Sequence, residues 1–262
     1  MSAPLILRAD EGAVAVVILN DPAKLNALST PMLHALATEF EALAADPAVR
    51  VVVIRAMGKA FCAGHDLKEI QAARQAPDGG AAAFGDLFSL CSRIMQQIAS
   101  LPKPVIAEVQ GIATAAGCQL AATCDMVVAS DHARFGVNGV NIGLFCSTPI
   151  VALSRKIPQG AAFELAATGE FLSATRAQTL GLANRVTSAE DLSAQTMTLA
   201  QTLAQKLPAA LSIGKAAFAA QTGLPLDQAY AAAGSAMVDN LLNSDTSEGI
   251  TAFLEKRPPN WA

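Results

Sequence analysis

Two short segments of the sequence could do chemistry through their backbone. Residues 58–70, GKAFCAGHDLKEI, follow an apolar β-branched run at 49–54, and residues 111–120, GIATAAGCQL, follow a similar run at 105–109. Free N–H groups cluster where a strand turns into a helix, and small side chains let a ligand approach them. Two such turns side by side would offer two N–H donors to a carbonyl oxygen that acquires negative charge. Alternatively, the Gly and Ala residues serve only the close packing of helix on strand.

The elements that position these segments alternate between strand and helix. Residues 14–19 and 49–54 indicate strands buried on both faces, because they are almost entirely apolar and β-branched. Between them a helix is predicted to begin at Thr30 as N-cap, with Pro31 at the first helical position. Its apolar residues recur at helical spacing: Leu33, Leu36, Phe40 and Leu43. A strand, a helix and a strand in this order predict a right-handed crossover and a parallel pair.

The same alternation continues through the middle of the chain. We predict a helix over 83–100, ended by an LPKP sequence, and further strands at 105–109 and 125–129. Toward the C-terminus the pattern is wholly helical. The sequence therefore predicts an α/β fold in which residues 1–195 form the core and residues 196–262 form a helical oligomerisation region.

The composition favours a protein that buries surface against other copies of itself. Of the 262 residues, 52% are hydrophobic and only 15% are charged, which leaves apolar helix surface to be covered. The net charge of -4 offers no footprint for nucleic acid or for an anionic membrane. No apolar run approaches the roughly 18 residues needed to cross a bilayer. We therefore expect neither nucleic acid nor a membrane as a partner.

The cysteines and the first residues bear on the cellular compartment. Five cysteines without a C-x-x-C motif indicate neither a disulfide framework nor a metal site, and they favour a reducing environment. Residues 1–10 lack the basic region and the long apolar region of a secretory signal. From these two features we expect a cytoplasmic protein without a bound metal.

Several blocks of the sequence resemble one known family. KAFCAGHDLK at 59–68, and KPVIAEVQGI at 103–112 followed by AAGCQLAATCD at 115–125, are similar to the two signatures of the enoyl-CoA hydratase/isomerase (crotonase) family. PAKLNAL at 22–28 and ARFG at 133–136 match in order and spacing. Because these blocks agree in register over essentially the whole chain, the resemblance is far more specific than any single motif.

The resemblance implies both a fold and a site. The fold is a crotonase spiral of ββα units with a C-terminal helical trimerisation layer, in trimers that often pair into hexamers. The backbone N–H groups of His65 and Ala116 would hold the oxygen of an acyl-CoA thioester, so coenzyme A is part of the substrate and no separate cofactor is implied. The residues implied to lie along the rest of coenzyme A are Lys24, Leu25, Ala63, Asp66 and Leu67.

Two positions depart from the hydratases of this family, which use two glutamates as acid and base. Gln119 and Gly139 occupy those positions, and neither an amide nor a hydrogen atom can shuttle a proton. We therefore expect weak or no hydration of enoyl-CoA. Residues 139–149, with 236–240 and 248–257 in the tail, resemble an enoyl-CoA hydratase domain-containing subgroup that lacks both glutamates.

Other polar side chains are candidates for the acyl pocket. Gln119, Asn141 and Ser147 could hydrogen-bond an acyl group or position a water, although Ser147 could instead cap the next helix. The imidazole of His65 could act as an acid or base, or it could be a packed or solvent-facing ring on a residue used only through its backbone.

Three functions are left as alternatives. The first is an enzyme that acts on an acyl-CoA through the two N–H groups, by isomerisation or thioester cleavage rather than hydration. The second is a non-catalytic acyl-CoA binding protein. The third, a nucleotide-binding domain, is disfavoured because the sequence has neither a G-x-G-x-x-G after a strand nor a G-x-x-x-x-G-K-[ST] loop.

Overall fold

The computed structural model describes residues 3–261 and places them in an α/β fold of two sheets surrounded by helices. The strands are β1 (Ile6–Glu11), β2 (Val14–Leu19), β3 (Val51–Ala56), β4 (Ala60–Cys62), β5 (Val105–Val109), β6 (Ile112–Thr114), β7 (Met126–Ser130), β8 (Arg134–Gly136), β9 (Phe171–Ser173) and β10 (Arg185–Thr187).

The α-helices connect the strands and then continue alone to the end of the chain. They are α1 (Thr30–Ala45), α2 (Leu67–Ala73), α3 (Ala81–Ser100), α4 (Ala116–Thr123), α5 (Ser147–Leu153), α6 (Gln159–Thr168), α7 (Ala174–Leu180), α8 (Leu192–Ala204), α9 (Pro208–Gln221), α10 (Leu226–Leu241) and α11 (Ser244–Leu254). Short 3-10 turns occur at Pro22–Lys24 and Asn138–Ile142. None of the helices in residues 3–261 is both long enough and apolar enough to cross a bilayer.

The chain winds between the two sheets as a spiral. The six-stranded sheet has the order β1-β2-β3-β5-β7-β10 and the four-stranded sheet has the order β4-β6-β8-β9. Thus β3, β5 and β7 each lie in the first sheet, and the strand that follows each of them lies in the second. Helices then return the chain to the first sheet, where β2, β3, β5, β7 and β10 are parallel. This arrangement confirms the predicted spiral of ββα units.

The six-stranded sheet is buried on both of its faces. Ala15 and Val17 of β2 face the large core shared with the second sheet, whereas Val14 and Val16 face the opposite way. On that second side the sheet packs against buried residues of α8. Burial on both faces explains why β2 is a continuous apolar run rather than an alternating one.

Several predicted boundaries shift by one or two residues. The strand at 14–19 and its parallel pairing with the next strand are confirmed, but that next strand runs over Val51–Ala56 rather than 49–54. The prediction of Thr30 as N-cap is wrong, because Ser29 has the extended backbone and its hydroxyl accepts the N–H of Met32. Both residue types cap helices well, so the sequence alone does not distinguish them.

The C-terminal helices contribute little to the core of this chain. No residue of α9 or α10 is buried in the part of the chain that the structure describes. Lys215 of α9 nevertheless anchors this layer, since its Nζ lies 2.7 Å from a carboxylate oxygen of Asp125. The predicted division at residue 195 stays a prediction, and α8 runs across that position. The exposed apolar side chains of this layer include Phe218, Leu226, Tyr230, Met237, Leu241, Leu242, Phe253 and Leu254.

Candidate functional site

The two segments singled out in the sequence lie against each other. The first forms the Gly64 turn (residues 63–66) between β4 and α2, and the second forms the Ala115 turn (residues 114–116) between β6 and α4. Because β4 and β6 are parallel neighbours, both turns leave the same edge of the small sheet. A Cβ atom placed on Gly64 would lie 2.9 Å from Cβ of Ala115 and 3.3 Å from the backbone N of Ala116. The two turns are therefore in direct contact, which is the arrangement that a shared pair of N–H donors requires.

A second glycine makes that contact possible. A Cβ atom on Gly117, the second residue of α4, would lie 2.2 Å from the carbonyl oxygen of Cys62 at the end of β4. This separation is shorter than any real contact of a Cβ atom, so only glycine fits. The first turn of α4 thus sits directly on the backbone that leads into the Gly64 turn.

The backbone of Ala115 is held in an unfavourable conformation. Its φ of 49° and ψ of -122° lie in a region that L residues rarely adopt, at a cost of about 1–3 kcal/mol. The N–H of Ala115 donates to the carbonyl of Gly136 at 2.9 Å, and its carbonyl accepts the N–H of Gln119 at 3.0 Å. These bonds fix the orientation of the peptide that carries the N–H of Ala116.

Two backbone N–H groups at this junction have no partner in the part of the chain that the structure describes. Within residues 3–261, neither the N–H of His65 nor that of Ala116 donates to a backbone or side-chain acceptor. Ala116 is the first residue of α4, where N–H groups have no acceptor inside the helix. Two free donors on two touching turns can serve an external carbonyl oxygen.

The loop at 22–28 runs beside the Gly64 turn. The carbonyl of Leu25 accepts the N–H of Ala63 at 3.1 Å, and the N–H of Leu28 donates to the carbonyl of Gly64 at 2.7 Å. Nζ of Lys24 lies 3.4 Å from a carboxylate oxygen of Asp66, which caps α2. Lys24, Leu25, Ala63, Asp66 and the exposed Leu67 are therefore neighbours, and their contact with coenzyme A stays a prediction.

Asn26 holds this loop in place, and sequence reasoning did not single it out. It is fully buried, and its backbone has a left-handed φ of 53°. Its side-chain amide donates to the carbonyls of Met57 and Ala60 at 2.8 and 2.9 Å, and its oxygen accepts the N–H of Asp21 at 2.9 Å. The Asn in the PAKLNAL block is the sequence feature that could have identified this role. Asn adopts a positive φ more readily than most other residues that have a side chain.

Replacing Asn26 with alanine is expected to lower the free energy of unfolding by about 2–4 kcal/mol. The change removes three hydrogen bonds and leaves the carbonyl of Met57 and the N–H of Asp21 without the partners they have in the wild type, while the carbonyl of Ala60 still accepts the side-chain amide of Gln110. Denaturant unfolding measures the loss. Asn20→Ala is the matched control, because the Asn20 side chain makes one exposed bond to the carbonyl of Pro4 and should cost less than about 1 kcal/mol. Equal effects of the two changes would contradict this role.

The imidazole of His65 is packed rather than solvent-facing. Its Nδ1 lies 3.1 Å from the carbonyl oxygen of Leu28, and its ring meets the Phe88 ring edge to face, with 5.6 Å between centroids. Burial lowers the pKa of the imidazole, although the bond to Leu28 opposes the shift. The ring is therefore neutral at neutral pH.

Gln119 lies on the same helix as Ala116, three residues further along. Its side chain is buried, with 5% of its surface exposed. The side-chain oxygen is fully enclosed and has no hydrogen-bond partner among residues 3–261. An isosteric carboxylate would fit in this place, but the amide present can only donate or accept hydrogen bonds.

Position 139 is closed to any side chain by the chain itself. A Cβ atom on Gly139 would lie 2.3 Å from the carbonyl oxygen of Leu144 and 2.8 Å from Sγ of Cys146. The N–H of Leu144 donates back to the carbonyl of Gly139 at 2.9 Å, which closes this loop on itself. The backbone around Gly139 thus leaves no space for a glutamate at this position.

Asn141 and Ser147 make local structural bonds. The amide of Asn141 donates to the carbonyl of Gly169 at 3.3 Å, which joins the 3-10 turn to the end of α6. The hydroxyl of Ser147 donates to the carbonyl of Phe145 at 3.4 Å, and α5 begins at Ser147 without a side-chain cap. Both side chains are on the exposed surface, and their predicted contact with an acyl group stays a prediction.

The cysteines are poor candidates for nucleophiles. All five are free and buried. Burial raises the pKa of the Cys62 and Cys118 thiols to about 12, so almost no thiolate forms near neutral pH. Within residues 3–261 there is no group of three or more His, Cys, Asp or Glu side chains that could hold a metal ion.

Known proteins are similar to this chain in both sequence and fold. The family model for Enoyl-CoA hydratase/isomerase matches residues 9–262. The enoyl-CoA hydratase domain-containing protein 3, mitochondrial, of Danio rerio is 44% identical over 261 residues, which cover 100% of this chain and 89% of that protein. Its Homo sapiens counterpart is 44% identical over 246 residues, 94% of this chain and 80% of the human protein.

These comparisons contradict one prediction. The chain was expected to be cytoplasmic, but the relatives from Danio rerio and Homo sapiens are both named as mitochondrial proteins. The reasoning failed because a test for a secretory signal does not address the amphipathic, Arg-rich presequences of mitochondrial proteins. Buried reduced cysteines likewise do not separate one reducing compartment from another.

Solved structures of enoyl-CoA hydratase/isomerase proteins have the same fold as this chain. A crystal structure of enoyl-CoA hydratase from Mycobacterium smegmatis is 49% identical and has a TM-score of 0.94, over 99% of each chain. The crystal structure of human enoyl Coenzyme A hydratase domain-containing protein 3 is 42% identical, with a TM-score of 0.93 over 98% of this chain and 100% of that one. Family model, curated relatives and structures agree, and the chain belongs to the enoyl-CoA hydratase/isomerase family.

Proposed function

We propose that this protein binds an acyl-CoA thioester and holds its carbonyl oxygen between the backbone N–H groups of His65 and Ala116. One observation carries the proposal: the Gly64 and Ala115 turns touch, and each presents an N–H group without an acceptor in the described chain. Family membership supports the ligand class, because enzymes of this family act on acyl-CoA thioesters. Coenzyme A enters as part of the substrate.

The coenzyme A portion would follow the loop at 22–28 and the start of α2. Lys24 supplies a cation beside the Gly64 turn, and Leu25 and Leu67 supply exposed apolar surface, with 37% and 54% of their areas exposed. Exposed apolar side chains next to free N–H groups suit a ligand that is part amide and part hydrocarbon.

The chemistry that suits this site is stabilisation of an enolate rather than hydration. Hydrogen bonds from two N–H groups stabilise negative charge on the thioester oxygen, and one lost donor of this kind costs about 10²- to 10³-fold in rate. Hydration also needs an acid and a base, whereas position 119 is an amide and position 139 is blocked by Leu144. Isomerisation or exchange at the α-carbon needs only one base.

The second candidate is a non-catalytic acyl-CoA binding protein. The closed loop around Gly139 favours it, because binding through two N–H groups requires neither carboxylate. Mass spectrometry of a panel of CoA esters incubated with the protein separates the two candidates. Product from any ester supports the enzyme, and binding without product from every ester supports the binding protein.

We further propose that the chain assembles as a homotrimer, or as a dimer of trimers. The exposed apolar side chains of α9, α10 and α11 would be buried between copies, which lowers the free energy of the assembly by the hydrophobic effect. Sedimentation velocity gives the mass directly. A monomer at micromolar concentration would contradict this assembly.

Binding of the thioester oxygen is tested by comparing two ligands in calorimetric titrations. Butyryl-CoA has the carbonyl oxygen, and in its thioether analogue butyl-CoA a CH2 group replaces the carbonyl group. Two hydrogen bonds of about 0.5–1.5 kcal/mol each predict about 5- to 150-fold tighter binding of butyryl-CoA. Equal affinities would show that the N–H groups do not contact the oxygen, and no binding of either ligand would reject the proposed function.

A further inference from the structure

A cavity with a volume of about 200 Å³ lies at the edge of the six-stranded sheet where its parallel strands begin. Arg50 stands directly before β3, Pro104 stands directly before β5, and both residues line this cavity. From here the two strands run toward β4 and β6, which carry the Gly64 and Ala115 turns. A six-residue strand such as β3 spans about 20 Å, so the cavity is remote from the candidate thioester site.

Cations surround this cavity. Three of its ten lining residues are basic and none is acidic, and the basic ones are Arg50, Lys103 and Lys206. The chain as a whole carries a net charge of -4, so this excess of positive charge is local. A cavity lined with one sign of charge raises the local concentration of ions of the opposite sign.

Backbone contacts place two of the charged groups beside the cavity wall. The guanidinium of Arg50 donates to the carbonyl of Ala204 at 3.3 Å, and the next residue back, Leu203, lines the cavity. The ammonium of Lys103 donates to the carbonyl of Asp46 at 2.6 Å, directly before a lining proline at position 47. Both side chains therefore extend along the wall rather than away from it.

These cations have no carboxylate partner in the part of the chain that the structure describes. Within residues 3–261, no nitrogen of the three side chains lies within 4.0 Å of a carboxylate oxygen. The carboxylate of Asp46 is paired with Arg8 at 2.7 Å. Burial lowers the pKa of Lys103, although Asp46 opposes the shift, so an anion in the cavity would stabilise the charged ammonium.

Prolines make the cavity rigid. Four of its lining residues are Pro47, Pro102, Pro104 and Pro208, and two of these belong to the LPKP sequence at 101–104. Each proline has a fixed φ, so the wall is preformed. Pro208 is also the first residue of α9, and the positive end of the dipole of this 14-residue helix adds to the three cations.

We propose that this cavity binds a phosphate group. Phosphate carries close to two negative charges near neutral pH and has several acceptor oxygens. Arg50 donates one N–H to Ala204, and its other side-chain N–H groups have no acceptor among residues 3–261, so they can donate to two phosphate oxygens. Lys103 and Lys206 add positive charge at the same place. A bound phosphate would hold the start of the C-terminal helical layer against the sheet, whether or not the chain binds a thioester.

Thermal unfolding in sodium phosphate, compared with sodium chloride of the same ionic strength, tests the inference without any CoA ester present. Phosphate that binds the folded state stabilises it. At about ten times its dissociation constant it is expected to raise the melting temperature by about 3–6 °C. Glycerol 3-phosphate is measured in the same way, and a larger shift would identify a phosphate ester, rather than free phosphate, as the preferred ligand. The same melting temperature in chloride and in both phosphate compounds would overturn the inference.

Three variants locate the binding by calorimetric titration with phosphate. Arg50→Gln removes the guanidinium and is expected to weaken binding by about 10- to 100-fold. Lys206→Gln covers the case in which Arg50→Gln does not fold, because the Lys206 side chain is exposed; it is expected to weaken binding by about 3- to 5-fold. Arg176→Gln is the matched control, since Arg176 is exposed on α7 and does not line the cavity. Affinity equal to that of the control in a folded variant of Arg50 or Lys206 would overturn the inference.

Discussion

Crotonyl-CoA is expected to be hydrated at least about 10³-fold more slowly by this chain than by a hydratase with both glutamates. Positioned acid and base groups each contribute about 10²- to 10⁴-fold, and positions 119 and 139 hold neither. The rate is measured as the loss of enoyl absorbance. An ordinary hydratase rate from the wild-type protein would contradict the account of the site.

Hydration could be slow because position 119 lacks a carboxylate or because position 139 has no space for one. Two substitutions distinguish these two causes. Gln119→Glu fits the existing buried place and restores one of the two carboxylates, so hydration is expected to rise by at most about 10²- to 10⁴-fold, the contribution of one positioned group. Adding Gly139→Glu should give no further gain. Its Cβ atom would collide with the carbonyl of Leu144, so the double variant is expected to unfold at a lower temperature. Full hydratase activity of the double variant would show that the backbone around Leu144 moves aside to accommodate a side chain at position 139.

Gly117→Ala is expected to lower the melting temperature by about 3–10 °C and to weaken butyryl-CoA binding at least about tenfold. The added methyl group would lie 2.2 Å from the carbonyl oxygen of Cys62, so α4 must move away from β4. Moving α4 carries the N–H of Ala116 away from the Gly64 turn. Thermal unfolding measures the first effect and calorimetric titration the second.

Gly85→Ala is the matched control for that change. Gly85 lies within α3, and a Cβ atom there would meet nothing within 4 Å. Alanine is expected to stabilise the helix by about 0.5–1 kcal/mol, because glycine loses more conformational freedom on folding. A Gly117→Ala protein as stable as the wild type, with unchanged affinity, would show that the junction tolerates separation of the turns.

The sequence predicted the buried strands and identified the two strand-to-helix turns, but it left open whether these turns touch. Continuous apolar runs such as residues 14–19 identify strands buried on both faces, and matched blocks with correct spacing identify the family. The four-stranded sheet was implied only by the resemblance, because strands such as Ala60–Cys62 and Arg134–Gly136 have three residues and no periodic pattern. Their pairing depends on contacts between distant segments.

Parts of the site depend on the folded backbone and could not be predicted. The substitution at 139 is visible in the sequence, but the carbonyl of Leu144 that fills the space is visible only in the structure. The orientation of the His65 ring likewise results from its bond to Leu28, 37 residues earlier in the chain. Burial and orientation of a single ring are set by packing, which composition and spacing do not specify.

The most direct test of the account is a crystal structure with butyryl-CoA bound. We expect the thioester oxygen to lie about 2.7–3.1 Å from the backbone nitrogens of both His65 and Ala116, the range expected for an oxyanion site. A thioester oxygen outside hydrogen-bond distance of both nitrogens, with coenzyme A bound elsewhere on the protein, would contradict it.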